Sequence, residues 1–207
     1  MDEQTLAKAR RHLARRDDIL KRLLRIVGSC TLRHDADHFA VLVRSIVSQQ
    51  ISTRAALAIG GRLLEQVGRY EPKRILAASE DTMRAAGLSR GKQLALRDLA
   101  EKCLDGTVPL RKLADLDDAD VIETLVQVRG IGPWTAEMFL IFSLGRLDVL
   151  PIGDFGLRNG MRQQYVLPDL PKKDAMITLA ESWKPYRSIG TWYIWRSFGV
   201  VPQSESV

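Results

Sequence analysis

Two glycines, a proline and an aspartate are the residues whose types and spacing best suit chemistry in this chain. They begin in Leu125-Val126-Gln127-Val128-Arg129-Gly130-Ile131-Gly132-Pro133-Trp134-Thr135-Ala136. An amphipathic helix is expected to run to Val128, and Pro133 to open the next helix at its first position, where a missing N–H costs little. The Gly-x-Gly turn between them permits positive backbone angles at both glycines and keeps side chains away from a ligand. It aims backbone amides and the positive end of a helix dipole at one point, which suits a phosphate oxygen, and Arg129 adds a full charge beside it. The plain alternative is an ordinary helix corner. Asp154 follows 24 residues after Gly130, within Asp148-Val149-Leu150-Pro151-Ile152-Gly153-Asp154-Phe155-Gly156. A carboxylate there can stabilise a developing cation and place a water molecule, or it can serve only as the N-cap of a helix. Asp148 is the rival carboxylate.

The elements that must hold these residues are helices. Apolar positions recur at three- and four-residue spacing in Phe39–Val43–Ile46–Val47, Leu57–Leu64, Leu94–Leu99 and Val121–Leu125–Val128. No segment alternates apolar and polar residues long enough to make a strand. Glycines and prolines then cut the chain into about ten short helices. Asp117, Asp118 and Asp120 mark one helix start. The pair Gly60–Gly61 lies inside a helical pattern and suggests a kink or a close helix contact.

Composition narrows the classes. With 207 residues, 45% of them hydrophobic, the chain can bury a core without disulfides or a structural metal. A net charge of +6 favours an anionic partner. The basic cluster from Lys8 through Arg25, in what reads as the first helical stretch, has the plain reading of a solvated helix face. Cys30 and Cys103 are the only cysteines, which excludes a four-cysteine zinc or iron–sulfur centre. The start, Met-Asp-Glu-Gln, is acidic where a signal peptide is basic, and the most apolar run, Met138 to Leu144, is too short to span a bilayer. A soluble chain acting inside the cell is expected.

The hairpin resembles the helix–hairpin–helix motif of DNA-binding proteins. With Asp154 downstream, the stretch from about residue 20 to about residue 200 resembles the base-excision DNA glycosylase superfamily built on that motif. Arg44-Ser45-Ile46-Val47-Ser48-Gln49-Gln50-Ile51-Ser52-Thr53, Trp183-Lys184-Pro185-Tyr186-Arg187-Ser188 and Tyr193-Ile194-Trp195-Arg196 look like segments of the alkylbase type, the 3-methyladenine DNA glycosylase II group. The resemblance implies an all-α, two-lobed fold without an N-terminal β domain. It would be a single module over 1–207, with a middle lobe of about 40–145, a second lobe from the N-terminal helices plus about 146–207, and DNA in the cleft between lobes. It implies Asp154 as the catalytic carboxylate, buried and ionised, and a pocket lined by Trp134, Met138 and Trp195. DNA contacts would come from Gln49, Gln50, Arg129, Gly130, Gly132 and Thr135, with Gln50 as the wedge that fills the gap left by a flipped base. The carbonyls of Val126, Val128 and Ile131 would hold a Na+ or K+ ion, and catalysis would need no cofactor. Trp183 and Trp192 read as core.

The implied activity is hydrolytic release of alkylated bases, such as 3-methyladenine and 7-methylguanine, from double-stranded DNA. The protein would act as a monomer in the nucleoid of a prokaryote or the nucleus of a eukaryote. Two alternatives remain open on sequence: a non-catalytic binder of damaged DNA, and a glycosylase/lyase for oxidised bases. Trp134 stands where lyase relatives carry their nucleophilic lysine, which opposes the second.

Overall fold

The structure, a computed structural model, describes residues 1–199. Among these residues it contains twelve α-helices, two 3-10 helices and no strand. In chain order the helices are α1 (Glu3–Arg16), α2 (Asp18–Val27), α3 (His38–Ser48), α4 (Thr53–Val67), α5 (Pro72–Ala77), α6 (Glu80–Ala85), α7 (Arg90–Asp105), α8 (Asp118–Leu125), α9 (Pro133–Phe142), α10 (Phe155–Gln164), α11 (Lys173–Leu179) and α12 (Arg187–Arg196). The chain divides into two compact units, Asp35–Leu144 and a unit that joins Met1–His34 to the residues from Gly145 onward.

The discontinuous unit is organised around α12. Every residue from Ser188 to Trp195 is buried, so this helix has no solvent face and packs against α2 and α10. Its aromatic and aliphatic side chains each gain about 1.5–3 kcal/mol on burial. Trp183 and Trp192 are core residues, as their plain reading has it. The basic side chains of α1 and α2 are exposed except for half-buried Arg10. The expected single helical stretch is broken into two helices at Asp17, whose backbone is extended. The break has a tertiary cause. The Asp17 carboxylate caps the Leu20 N–H at 2.9 Å and accepts the Tyr165 hydroxyl at 2.6 Å and the Trp183 indole N–H at 3.0 Å. Burial, and then the facing carboxylate, push the Tyr165 phenol well above its ordinary value.

In the continuous unit α3 is the apolar centre, with Phe39 to Val43, Ile46 and Val47 buried and Asp37 capping the Ala40 N–H. It packs on α4, α7 and α9. Two expectations change here. Leu57 and Leu64 are exposed, and α4 buries Leu63 and Val67 instead, because the inward stripe falls one residue earlier than an apolar count suggests. Helix α4 also runs unbroken through Gly60 and Gly61. The close approach there comes from Tyr70, whose hydroxyl donates to the Gly60 carbonyl at 2.7 Å.

Asp17→Ala is expected to lower stability by about 3 kcal/mol, since it removes a cap and strands a buried indole N–H and a phenol. Asp17→Asn, which keeps an acceptor, should lose markedly less. Urea unfolding of both variants checks this, and equal losses would place the stabilisation in charge rather than in the three bonds.

Candidate active site

The hairpin lies in the continuous unit. Asp117 caps the Asp120 N–H at 3.0 Å, and Val121, Leu125 and Val128 are all buried. The helix nevertheless stops at Leu125, not at Val128. Val128 donates to the Leu125 carbonyl at 3.1 Å and Ile131 to the Val128 carbonyl at 3.0 Å, so the chain tightens into successive turns before the glycines. Gly130 has φ +78°, the left-handed value that the third residue of such a turn requires. Gly132 does not share this need, contrary to expectation. Its φ is −100°, and a Cβ built on it meets nothing within 4 Å. The protein's own packing therefore leaves the space over Gly132 open.

Pro133 is the first residue of α9 as expected. The N–H groups of Gly130, Gly132 and Thr135 donate to no acceptor among the described residues, the last two at the start of α9. The Arg129 N–H is engaged, donating to Asp98 of α7 at 2.7 Å. Burial raises the Asp98 carboxyl, but Lys102 and the Arg129 N–H outweigh it and hold the group below the usual carboxylate range. Asp98 thus ties the hairpin down while the Arg129 side chain stays exposed. Trp134 is 42% exposed, Val126 is exposed too, and Thr135 and Met138 are buried. For a cation held by backbone oxygens the donor set fits: the carbonyls of Val126 and Ile131 accept no hydrogen bond among the described residues, and that of Val128 accepts one.

Gln49 and Gln50 follow α3. The Gln49 side-chain amide donates to the Gly130 carbonyl at 2.9 Å, joining this turn to the hairpin. Gln50 is exposed and has φ +59°, a conformation that costs a non-glycine residue about 1 kcal/mol or more. Helix α3 ends at Ser48 with Gln49 as its cap residue, so Gln50 holds the left-handed position just beyond the helix end.

The carboxylate lies in the discontinuous unit. Asp154 is the N-cap of α10, so the plain sequence reading holds as geometry, and its Oδ1 accepts both the Leu157 N–H at 2.5 Å and the Trp195 indole N–H at 2.9 Å. It is half-buried rather than fully buried. Trp195 is 3% exposed. Asp148 is occupied otherwise: Arg187 clasps both of its oxygens, at 2.8 and 2.9 Å, and also donates its backbone N–H. That bidentate pair fixes the chain entering α12 and removes Asp148 from competition. Local sequence offered no sign of it, since the partners stand 39 residues apart. The Gln49–Gly130 and Asp98–Arg129 bonds were likewise missed, although the i,i+4 spacing of Asp98 and Lys102 marks that carboxylate as an organised one.

A helical chain that presents a hairpin of open amides, with a helix-capping aspartate downstream, has the form of a base excision repair protein. The chain belongs to the HhH-GPD superfamily of base excision DNA repair proteins, whose family model matches residues 43–185. DNA-3-methyladenine glycosylase 1 of Schizosaccharomyces pombe is 36% identical over 210 residues, spanning 98% of this chain and 92% of that protein. The solved structure of the S. pombe 3-methyladenine DNA glycosylase in complex with abasic DNA aligns with a TM-score of 0.81, covering 92% of this chain and 96% of the other. That of DNA-3-methyladenine glycosidase from Bacillus halodurans aligns with a TM-score of 0.80 at 37% identity, covering 91% and 87%.

The two hairpin glycines should separate on substitution. Gly130→Ala is expected to cost about 1–2 kcal/mol through its left-handed backbone, whereas Gly132→Ala should leave the melting temperature unchanged. Thermal unfolding compares them directly, and a comparable loss at 132 would mean that the turn itself needs that glycine.

Proposed function

We propose that the chain is a monofunctional DNA glycosylase that works as a monomer on double-stranded DNA and hydrolyses the N-glycosidic bond of alkylated bases, with Asp154 as its catalytic carboxylate. The observation that carries this reading is the carboxylate itself: in a chain of this superfamily, Asp154 is half-buried and held by two N–H donors. Asp148, the other carboxylate of the segment, is locked in an ion pair.

The chemistry follows from the lesion. A purine alkylated at N3 or N7 is cationic, so it leaves as a neutral base, taking the electron pair of its bond to C1′, and needs no general acid. The sugar becomes oxocarbenium-like. Asp154 stabilises that charge and orients the water that adds to C1′, the water's proton passing to the carboxylate or to solvent. The exposed indole of Trp134 favours an electron-poor ring by stacking and cation–π attraction. A tryptophan there also supplies no amine for Schiff-base chemistry, which accords with hydrolysis alone. The amides of Gly130, Gly132 and Thr135, with Arg129, grip the backbone phosphate. The carbonyls of Val126, Val128 and Ile131 would hold a Na+ or K+ ion that adds positive charge at that phosphate. No cofactor takes part in the reaction. Gln50, exposed on a strained turn, occupies the gap left in the stack when the nucleotide swings out.

Asp154→Asn keeps a good helix cap, so fold and DNA binding should persist while the single-turnover rate of base release falls about 100-fold or more. Release of 7-methylguanine from a defined duplex measures this, and parental turnover in Asp154→Asn would overturn the assignment. Asp148→Asn should lower stability more than it lowers the rate of the folded enzyme.

Gln50→Ala is expected to slow release most from well-paired lesions and least from lesions opposite a mismatch, which are already loosened. Single-turnover rates on the two duplexes decide this. A uniform effect would exclude the wedge role.

A further inference from the structure

Asp154 stands between two features that capping alone does not explain. Its Oδ1 receives the indole N–H of Trp195, a residue on α12 that is 3% exposed and so cannot swing away. Beside that bond is Gly156, inside α10 and without a positive φ, so nothing in its backbone calls for glycine. Alanine is the better helix former there. A Cβ at 156 would lie 3.2 Å from Asp154 Oδ1 and 3.6 and 3.7 Å from Trp195 Cδ1 and Nε1. The two contacts with Trp195 are ordinary ones, and the tight one presses on Oδ1, the acceptor end of the hydrogen bond. One turn further on, a Cβ at Gly160 would lie 2.4 Å from Ile194 Cγ2 and 2.3 Å from Phe198 Cε1. The two glycines lie on the same face of α10, the face that packs on α12. Gly160 lets the helices approach. Gly156 leaves room where that approach brings the indole to the carboxylate.

We infer that Gly156 and Trp195 are positioning residues for Asp154. The indole N–H, together with the Leu157 N–H, holds Oδ1 and with it the carboxyl group, and the absent side chain at 156 leaves that oxygen undisplaced. Trp195 then acts through its N–H as a donor, apart from any part its ring takes in receiving a base. This rests on the reading of Asp154 as the catalytic carboxylate. Displacement by a few tenths of an ångström is enough to matter, because a group that must face developing charge loses its advantage when misplaced.

The test uses the full chain with Trp195→Phe, Gly156→Ala, the two combined, and each in an Asp154→Asn background. Three quantities are read: melting temperature, affinity for a duplex carrying an abasic-site analogue, and single-turnover release of 7-methylguanine. Trp195→Phe keeps an aromatic ring and removes the donor. It should lower the rate about tenfold or more, and Gly156→Ala about three- to tenfold, with affinity changed less than about threefold in both. The double variant should fall little below the worse single one, since both break the same bond. In the Asp154→Asn background neither should change the residual rate. Fully additive losses, or equal losses with and without the carboxylate, would overturn the inference, because the residues would then act by packing or stacking alone. So would a Trp195→Phe enzyme with the parental rate while Asp154→Asn is inactive, an outcome that leaves the proposed function standing. Parental turnover in Asp154→Asn itself removes both.

Discussion

The first turn of a helix leaves amides that must find acceptors, and at α10 that acceptor is Asp154. This requirement fixes the carboxylate before any chemistry is considered. The cap sets where the oxygen stands along the chain, and the indole of Trp195 sets how the group is turned. Each donor belongs to an element with its own reasons for being where it is. Leu157 is a fully buried anchor of α10, and α12 is buried on every side. The proposed catalytic group therefore borrows its rigidity from the core, and a capping residue and a reactive residue are here one side chain in two capacities.

The hairpin proposed to grip a phosphate follows a different logic. Its glycines serve distinct ends although the sequence writes them alike: Gly130 supplies a left-handed turn, and Gly132 supplies vacancy. The hairpin's charges are also divided. The Arg129 backbone is drawn inward to Asp98, while its side chain remains outside with the unspent amides. Holding the loop falls to the backbone of Arg129, and its side chain is left free for the proposed contact.

What sequence made legible were the features written in neighbouring residues. The Gly-x-Gly-Pro turn, the Asp117 cap and the buried run Val121, Leu125 and Val128 all follow from local pattern. The catalytic candidate was found by its spacing from the hairpin and by resemblance. What stayed hidden were bonds between residues far apart in the chain. Asp17 breaks a helix for partners 148 and 166 residues away, and Asp148 is claimed by an arginine 39 residues on. No periodicity encodes such partners, because a side-chain hydrogen bond depends on where the backbone has already been carried. The end of α8 was misjudged for a related reason: Val128 is buried by the turn rather than by the helix, so its apolar character reads the same in either case.

The bond from the Gln49 amide to the Gly130 carbonyl spans 81 residues of chain. Its effect is to make two loops into a single caliper. One jaw is the hairpin with its unspent amides; the other is the strained turn that carries Gln50 into solvent. On the proposed reading, with the opening between the jaws set in advance, a DNA strand seated at one would be met by the other at a fixed distance along its length. Gauging a duplex would then place the burden of deforming on the DNA, where a weakened base pair yields first.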